Sequence, residues 1–248
     1  MRSKMLLACV AGVVFGVAGV SRAEEQAQAI IDKAIKAKGG EEALAKYKAV
    51  TSKGKGMFYG MGDGIPFTME TAEQLPHKTK QAVNAEVGGN PFKMTTVING
   101  DQGWVNTNGD TTDMEKERLD AQKGLLHADF VITLIPLKDK AYTLSPLGES
   151  KQGDKALVGV KVSRKGHKDV SLFFNKDTGL LAKAEYKGMD MTGQEVNQEV
   201  TFGDYKDVDG IKEPMKITIK HDGQKYIESE TTEMKHHKKL DVGVFAKP

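Results

Sequence analysis

The sequence predicts a mainly β chain with helices at its start and at its centre, in which about ten antiparallel strands curl into a barrel or fold into a sandwich. Three observations predict it. Apolar residues recur at helical spacing only near the N-terminus and again in a central stretch, "MEKERLDAQKGLLHADFVITLIPL". Almost everywhere else they alternate in period two, over runs of strand length separated by Gly, Asp, Pro or Asn. Each such run has a single apolar face, and burying about ten of those faces requires a sheet that closes on itself or on a second sheet.

The chain begins "MRSKMLLACVAGVVFGVAGVSRAEEQ": Arg2 and Lys4, an apolar run from Met5 to Val20, then Ser21-Arg22-Ala23. This reads as a secretory signal peptide cleaved after Ala23, residues 1–23, followed by one domain over 24–248. The apolar run is shorter than the roughly 20 residues of a membrane span, so no stable span is expected after cleavage. Cys9, the only cysteine, departs with the leader, and lies too early in the apolar run for an acylation site. The mature chain has no disulfide to hold it.

Ala29, Ile30, Ala34, Ile35 and Ala37 then follow helical spacing up to Gly39-Gly40, where glycine commonly ends a helix, and a short helix follows over 41–47. "TSKGKGMFYG", "IPFTMETAEQL", "HKTKQAVNAEV" and "PFKMTTVING" read as a meander, with Ile65, Phe67 and Met69, and Phe92, Met94, Thr96 and Ile98, facing inward. After the central helical stretch, inward sets recur at Val158, Val160 and Val162; at Val170, Leu172 and Phe174; at Ala182, Ala184 and Tyr186; and at Val196, Val200 and Phe202. "QKYIESETTEMK" is polar on both faces and is expected at a sheet edge. Many inward positions are small: Ser52, Gly54, Gly56, Thr71, Ala85. Small residues suit both closely packed sheets and a barrel that keeps a cavity, and the pattern does not choose between them.

"FGDYKDVDGIKEPMKI" crowds three aspartates before Gly210. A calcium loop with Gly210 at its sixth position would need an acid at Tyr205 and a bidentate glutamate at Lys216. Its flanks are strands, so Asp209-Gly210 is read as a hairpin bend, continuing into Met215, Ile217 and Ile219.

Basic and acidic residues nearly balance, 36 against 34, and three of the basic ones leave with the leader. That balance argues against nucleic acid or an anionic membrane surface as a partner. No nucleophile elbow, phosphate loop or dinucleotide fingerprint occurs, and no metal-ligand spacing joins the six histidines, which are expected on the surface. No catalytic residue, cofactor or metal is assigned. Trp104, in "NGDQGWVN", is either a core anchor or a ligand contact.

Five stretches in order, "IIDKAIKAKGGEEALAKYKAVTSKGKG", "NGDQGWVN", "FFNKDTGLLAK", "FGDYKDVDGIKEPMKI" and "LDVGVFAKP", resemble the outer-membrane lipoprotein-sorting, LolA/LolB-like family of periplasmic proteins. The resemblance implies an unclosed antiparallel half-barrel covered by N-terminal and central helices, with a hydrophobic cavity for acyl chains. It also implies that "LLHADFVITLIPL" packs across the barrel mouth as a lid. On this basis Phe58, Phe67, Met69, Phe92, Met94, Trp104, Tyr186, Phe202 and Ile217 are expected to line the cavity, with Leu126, Phe130, Ile132 and Leu134 in the lid. The expected function is a periplasmic carrier that shields a lipid or lipoprotein acyl chain and meets inner- or outer-membrane partner proteins. The alternative is a non-enzymatic envelope sensor or interaction module on the same half-barrel.

Overall fold

The computed structural model describes residues 22–190 and 193–248, so the expected leader, Cys9 included, lies outside the described residues apart from its last two positions. Helix α1 (Arg22–Lys38) and the short α2 (Gly40–Lys46) lead into six strands: β1 (Ala49–Phe58), β2 (Ile65–Gln74), β3 (Lys78–Val87), β4 (Asn90–Asn99), β5 (Gln102–Thr107) and β6 (Asp110–Asp113). Helix α3 (Lys116–Ile132) and a 3₁₀ turn (Ile135–Lys138) separate these from β7 (Tyr142–Gln152), β8 (Lys155–Arg164), β9 (Val170–Asn175) and β10 (Leu181–Met189). The chain continues through β11 (Glu195–Val208), β12 (Ile211–His221) and β13 (Gln224–His237) to a second 3₁₀ turn (Val242–Phe245).

Among the described residues, 13 strands form one antiparallel, unclosed sheet in the order β6-β5-β4-β3-β2-β1-β13-β12-β11-β10-β9-β8-β7. From the β1–β13 pair at its middle, one arm steps outward by hairpins to β6 and the other ends at β7. Among the described residues, the one connection between strands that are not neighbours is β6 to β7, from one free edge to the other. A chain joining the two edges of a curled sheet must cross its open mouth, and α3 makes that crossing.

The strand count exceeds the expected ten because β5, β6 and β7 carry weak strand signals. Two of them are the edges, where the features that discourage pairing with other chains also hide a strand. β6 is four polar residues, "DTTD". β7 holds Pro146 beside a register slip at Pro146/Gly148, and proline, with no N–H to donate, is confined to such positions. The polar strand expected at an edge, β13, instead stands at the centre between β1 and β12. Its outer residues face water among charged neighbours, with Lys53 3.7 Å from Glu70 and 3.9 Å from Glu233. Its inner residues Ser229 and Thr231 face a cavity and not a packed core. Polarity on both faces here records wetting on both sides.

The apolar core lies under one arm. Val160, Leu172 and Ala184 form a cross-strand row on β8, β9 and β10, each fully buried. On α1, Ala27, Ile31, Ala34 and Ile35 make a stripe at i, i+4, i+7 and i+8 that joins this core, with the alanines permitting close approach. Glu24 and Glu25 in its first turn and Lys36 and Lys38 in its last favour the helix dipole. α3 is divided between the arms. Leu119 and Leu126 pack on Ile98 of β4, while Ala128 and Val131, with Leu134 just beyond, join the main core.

Asp209 (φ 56°) and Gly210 (φ 85°) form the bend between β11 and β12, as expected, with Gly210 N–H donating to Asp207 Oδ1 at 3.0 Å. The bend is also a docking point. A Cβ on Gly39 would lie 2.5 Å from the Gly210 carbonyl oxygen, and Gly39 has φ 145°, so the Gly-Gly helix stop and the Asp-Gly hairpin fit together only without side chains. Gly56 makes a similar close approach: its Cβ would meet the Glu228 oxygen at 2.3 Å and the Phe67 ring at 2.6 Å. This small residue lets the strands and the Phe67 ring draw together.

Candidate functional site

Between the inner face of the central strands and the C-terminal half of α3 lies a cavity of about 480 Å³, inside the range of roughly 300–1,000 Å³ usual for small-ligand sites. Its wall includes Ser52 of β1, Met69 and Thr71 of β2, Val200 and Phe202 of β11, Ile217 and Ile219 of β12, and Ser229, Thr231 and Met234 of β13. Phe130, Ile132 and Leu134 roof it, and Ala34, Leu44 and Tyr47 close the end beneath α1 and α2. The roof ends in a constrained turn. Thr133 Oγ1 donates to the Phe130 carbonyl at 2.6 Å, and Leu134 adopts φ 67° while remaining 2% exposed. Holding leucine in the left-handed region costs about 1–2 kcal/mol, and burial of its side chain offsets this.

Seven of the thirteen sequence-predicted residues meet in this cavity: Met69, Tyr186, Phe202 and Ile217 on the wall, and Phe130, Ile132 and Leu134 on the roof. Phe58, Phe67, Phe92 and Met94 share the inner face by register but lie outside the cavity, toward the hairpin ends of their strands. Phe67 covers Gly56, and Phe58 meets Tyr226 edge to face at 5.1 Å. Leu126 anchors α3 on Ile98 away from the cavity. Trp104 is a correction. It pairs with Val97, whose side chain points opposite to those of Thr96 and Ile98, and it is buried on the outer face with Ala72 and Phe245 of the C-terminal 3₁₀ turn.

The cavity also holds ionisable groups that the sequence reading missed. Glu213 of β12 receives Lys38 Nζ at 3.0 Å and lies 3.2 Å from His236 Nε2, and Tyr47 stacks on that imidazole at 5.3 Å. Burial pushes the Glu213 carboxyl up, but Lys38 and His236 more than offset this and hold it below the usual range. Glu73 of β2 and Asp129 of α3 have no such partners: no hydrogen-bond donor reaches either carboxylate among the described residues. Burial, then the charge of Glu213, raises the Glu73 carboxyl. Burial, then the charge of Glu73, raises Asp129 to about 7. Both side chains are half-buried and line the cavity. Tyr186 accepts from Gln198 Nε2 at 2.7 Å, and burial followed by the Asp129 charge raises its phenol. The Tyr205 hydroxyl donates to the Leu181 carbonyl at 2.6 Å.

A period-two extension of Phe67, Met69, Thr71 reaches Glu73, and one of Ile219, Ile217, Met215 reaches Glu213, so both inward acids were signalled. Asp129 is the only carboxylate in "LLHADFVITLIPL". Two histidines also depart from the expected surface placement. The His236 side chain is 7% exposed, and His127 of α3 is buried, stacked on His167 at 3.6 Å beside Tyr142 and Arg164. No group of three or more His, Cys, Asp or Glu suited to a metal occurs among the described residues. No helix among them is long and apolar enough to cross a membrane.

An unclosed antiparallel half-barrel, with a helix across its mouth and a mainly apolar cavity beneath that helix, defines the class of this protein. No family model matches the sequence, and no curated protein matches it in sequence. In structure the chain is similar to a LolA superfamily protein from Nitrosomonas europaea (TM-score 0.57, 13% identity, 89% of this chain and 97% of that one). It is likewise similar to a DUF1329 family protein from Desulfovibrio piger (TM-score 0.57, 13% identity, 89% and 97%). A domain assigned to outer membrane lipoprotein sorting from Vibrio parahaemolyticus gives TM-score 0.56 at 12% identity, over 90% and 97% of the two chains. At these identities the likeness is one of fold, and the fold is that of the LolA superfamily structures, as the sequence resemblance implied.

Proposed function

We propose that this protein is a non-enzymatic periplasmic binding or carrier protein, made as a secreted precursor, that shields the apolar chain of a lipid or lipoprotein in the cavity beneath α3. One observation carries the reading. The central strands turn Met69, Phe202, Ile217 and Ile219 toward a void roofed by Phe130, Ile132 and Leu134, where side chains of a packed core would otherwise meet. Each methylene moved from water into such a site contributes about 0.8 kcal/mol, so a chain of modest length is held without covalent chemistry. The fold supports the reading, since LolA superfamily and lipoprotein-sorting proteins share it.

Met69→Asp tests it, because Met69 contacts the cavity from the sheet, away from the main core. A hydrophobic fluorophore titrated into the wild type should bind and be displaced by long-chain lipids, and the folded variant should lose that binding. Equal binding by a folded Met69→Asp protein would count against this cavity as the ligand site.

A further inference from the structure

The two unpaired carboxylates carry an inference about the kind of ligand, and it rests on the cavity being the ligand site. Of the three acids in the cavity, Glu213 is satisfied by Lys38 and His236. Glu73 projects from the sheet and Asp129 from the roof, so one acid belongs to each of the two bodies that enclose the void. Neither accepts a hydrogen bond from a donor among the described residues, and the Glu73 charge bears on Asp129 as the Glu213 charge bears on Glu73. A carboxylate drawn away from bulk water with no donor beside it is destabilised, and a ligand that brings donors relieves that cost. A site for a fatty acid or a phosphate would place donors here. This one places acceptors.

We propose that the cavity takes an amphiphile with an ammonium headgroup, which donates to Glu73 and Asp129 while its chain runs along Met69, Phe202 and Ile217. An alkylammonium offers three donors and one positive charge, and two carboxylates on opposing walls accept both. Bound in this way it also ties α3 to β2, so the headgroup holds the roof down over the chain. The ammonium could belong to a simple alkylamine or to an ethanolamine headgroup, and the chemistry at the two acids is the same.

The test compares dodecylamine, dodecanol and dodecanoate, each below its aggregation concentration, in displacing a neutral hydrophobic fluorophore from the wild-type protein at pH 8. A single-chain phosphoethanolamine lipid added to the series distinguishes a lipid headgroup from a free amine. The expected result is that dodecylamine or the ethanolamine lipid binds at least about tenfold more tightly than dodecanol, the scale of one charge-assisted contact, and that dodecanoate binds most weakly. The amine's advantage should shrink as pH falls to 5.5 and Asp129 takes up a proton. The other ionisable groups on the cavity lining are Glu213, Lys38, Lys48, His236, Tyr47, Tyr186 and Tyr205. Glu73→Gln and Asp129→Asn should each lower the amine-to-alcohol ratio; should either variant misfold, the wild-type ligand and pH series still decides. Equal binding of amine and alcohol, or tighter binding of dodecanoate, overturns the inference while leaving the cavity reading intact. Failure of every chain and of the fluorophore overturns both.

Discussion

Replacing Asp129 with asparagine keeps the shape of the side chain and removes its charge. In the folded protein the Asp129 carboxyl is raised from 3.8 to about 7 by burial and then by Glu73. A carboxyl raised on folding binds more protons in the folded than in the unfolded state between those two values, so its contribution to stability falls as pH rises through them. At about 1.36 kcal/mol per unit, the loss between pH 4 and pH 8 is on the order of 4 kcal/mol. His127 and His167 act in the opposite direction, since both are lowered by burial. The informative quantity is therefore the difference between wild type and Asp129→Asn, in which the histidines cancel. Urea unfolding at pH 4, 6 and 8, followed by circular dichroism, should show the variant gaining on wild type by roughly 4 kcal/mol across the series. For a chain of this size that corresponds to about 8–16 °C in midpoint temperature. Parallel pH profiles for the two proteins, within about 0.5 kcal/mol, would refute the reasoning and mean that Asp129 stands in an environment close to bulk water.

Gly39→Ala should destabilise by about 1–3 kcal/mol from the backbone alone, with a further loss from the 2.5 Å approach to the Gly210 oxygen; an unchanged urea midpoint would show that α1 and the hairpin do not dock this way. His127, lowered to about 4 by burial, then His167, then Arg164, contributes stability that is complete above about pH 6.5 and lost as pH falls toward 4. After allowance for solvent screening the loss is on the order of 1–2 kcal/mol. His127→Phe should flatten that part of the acid limb, and a limb of unchanged slope would contradict the burial. Because Trp104 lies on the outer face with Phe245, saturating the cavity with a non-absorbing ligand should leave its emission maximum unchanged, and a shift would return it to the binding site.

Alternation made the inner face legible. Met69, Phe202 and Ile217 were found because each strand has one apolar side, and the Asp-Gly bend was found because only a few residues tolerate its backbone. Trp104 was misplaced because its motif includes a short strand of four neighbouring buried or half-buried positions, where one residue of register decides the face. The edges were invisible for a physical reason: Pro146 and "DTTD" suppress the very pairing that a strand signal advertises. β13 misled in the converse way, since a central strand between water and a cavity looks like an edge. The acids were in plain view at inward positions, and were passed over because period-two reading counts apolar residues. Their meaning depends on Lys38 of α1 and His236 of β13 reaching Glu213, and on the crossing of α3 placing Asp129 where no donor among the described residues reaches it; both are long-range features of the topology.

Native mass spectrometry of the protein isolated from its own compartment without detergent bears most directly on whether the cavity beneath α3 holds an apolar chain. The expected spectrum contains a noncovalent adduct in the mass range of a single lipid or lipid-bearing molecule, released on denaturation and absent from folded Met69→Asp. A wild-type protein that is uniformly empty, and stays empty after incubation with long-chain amphiphiles, would contradict the account.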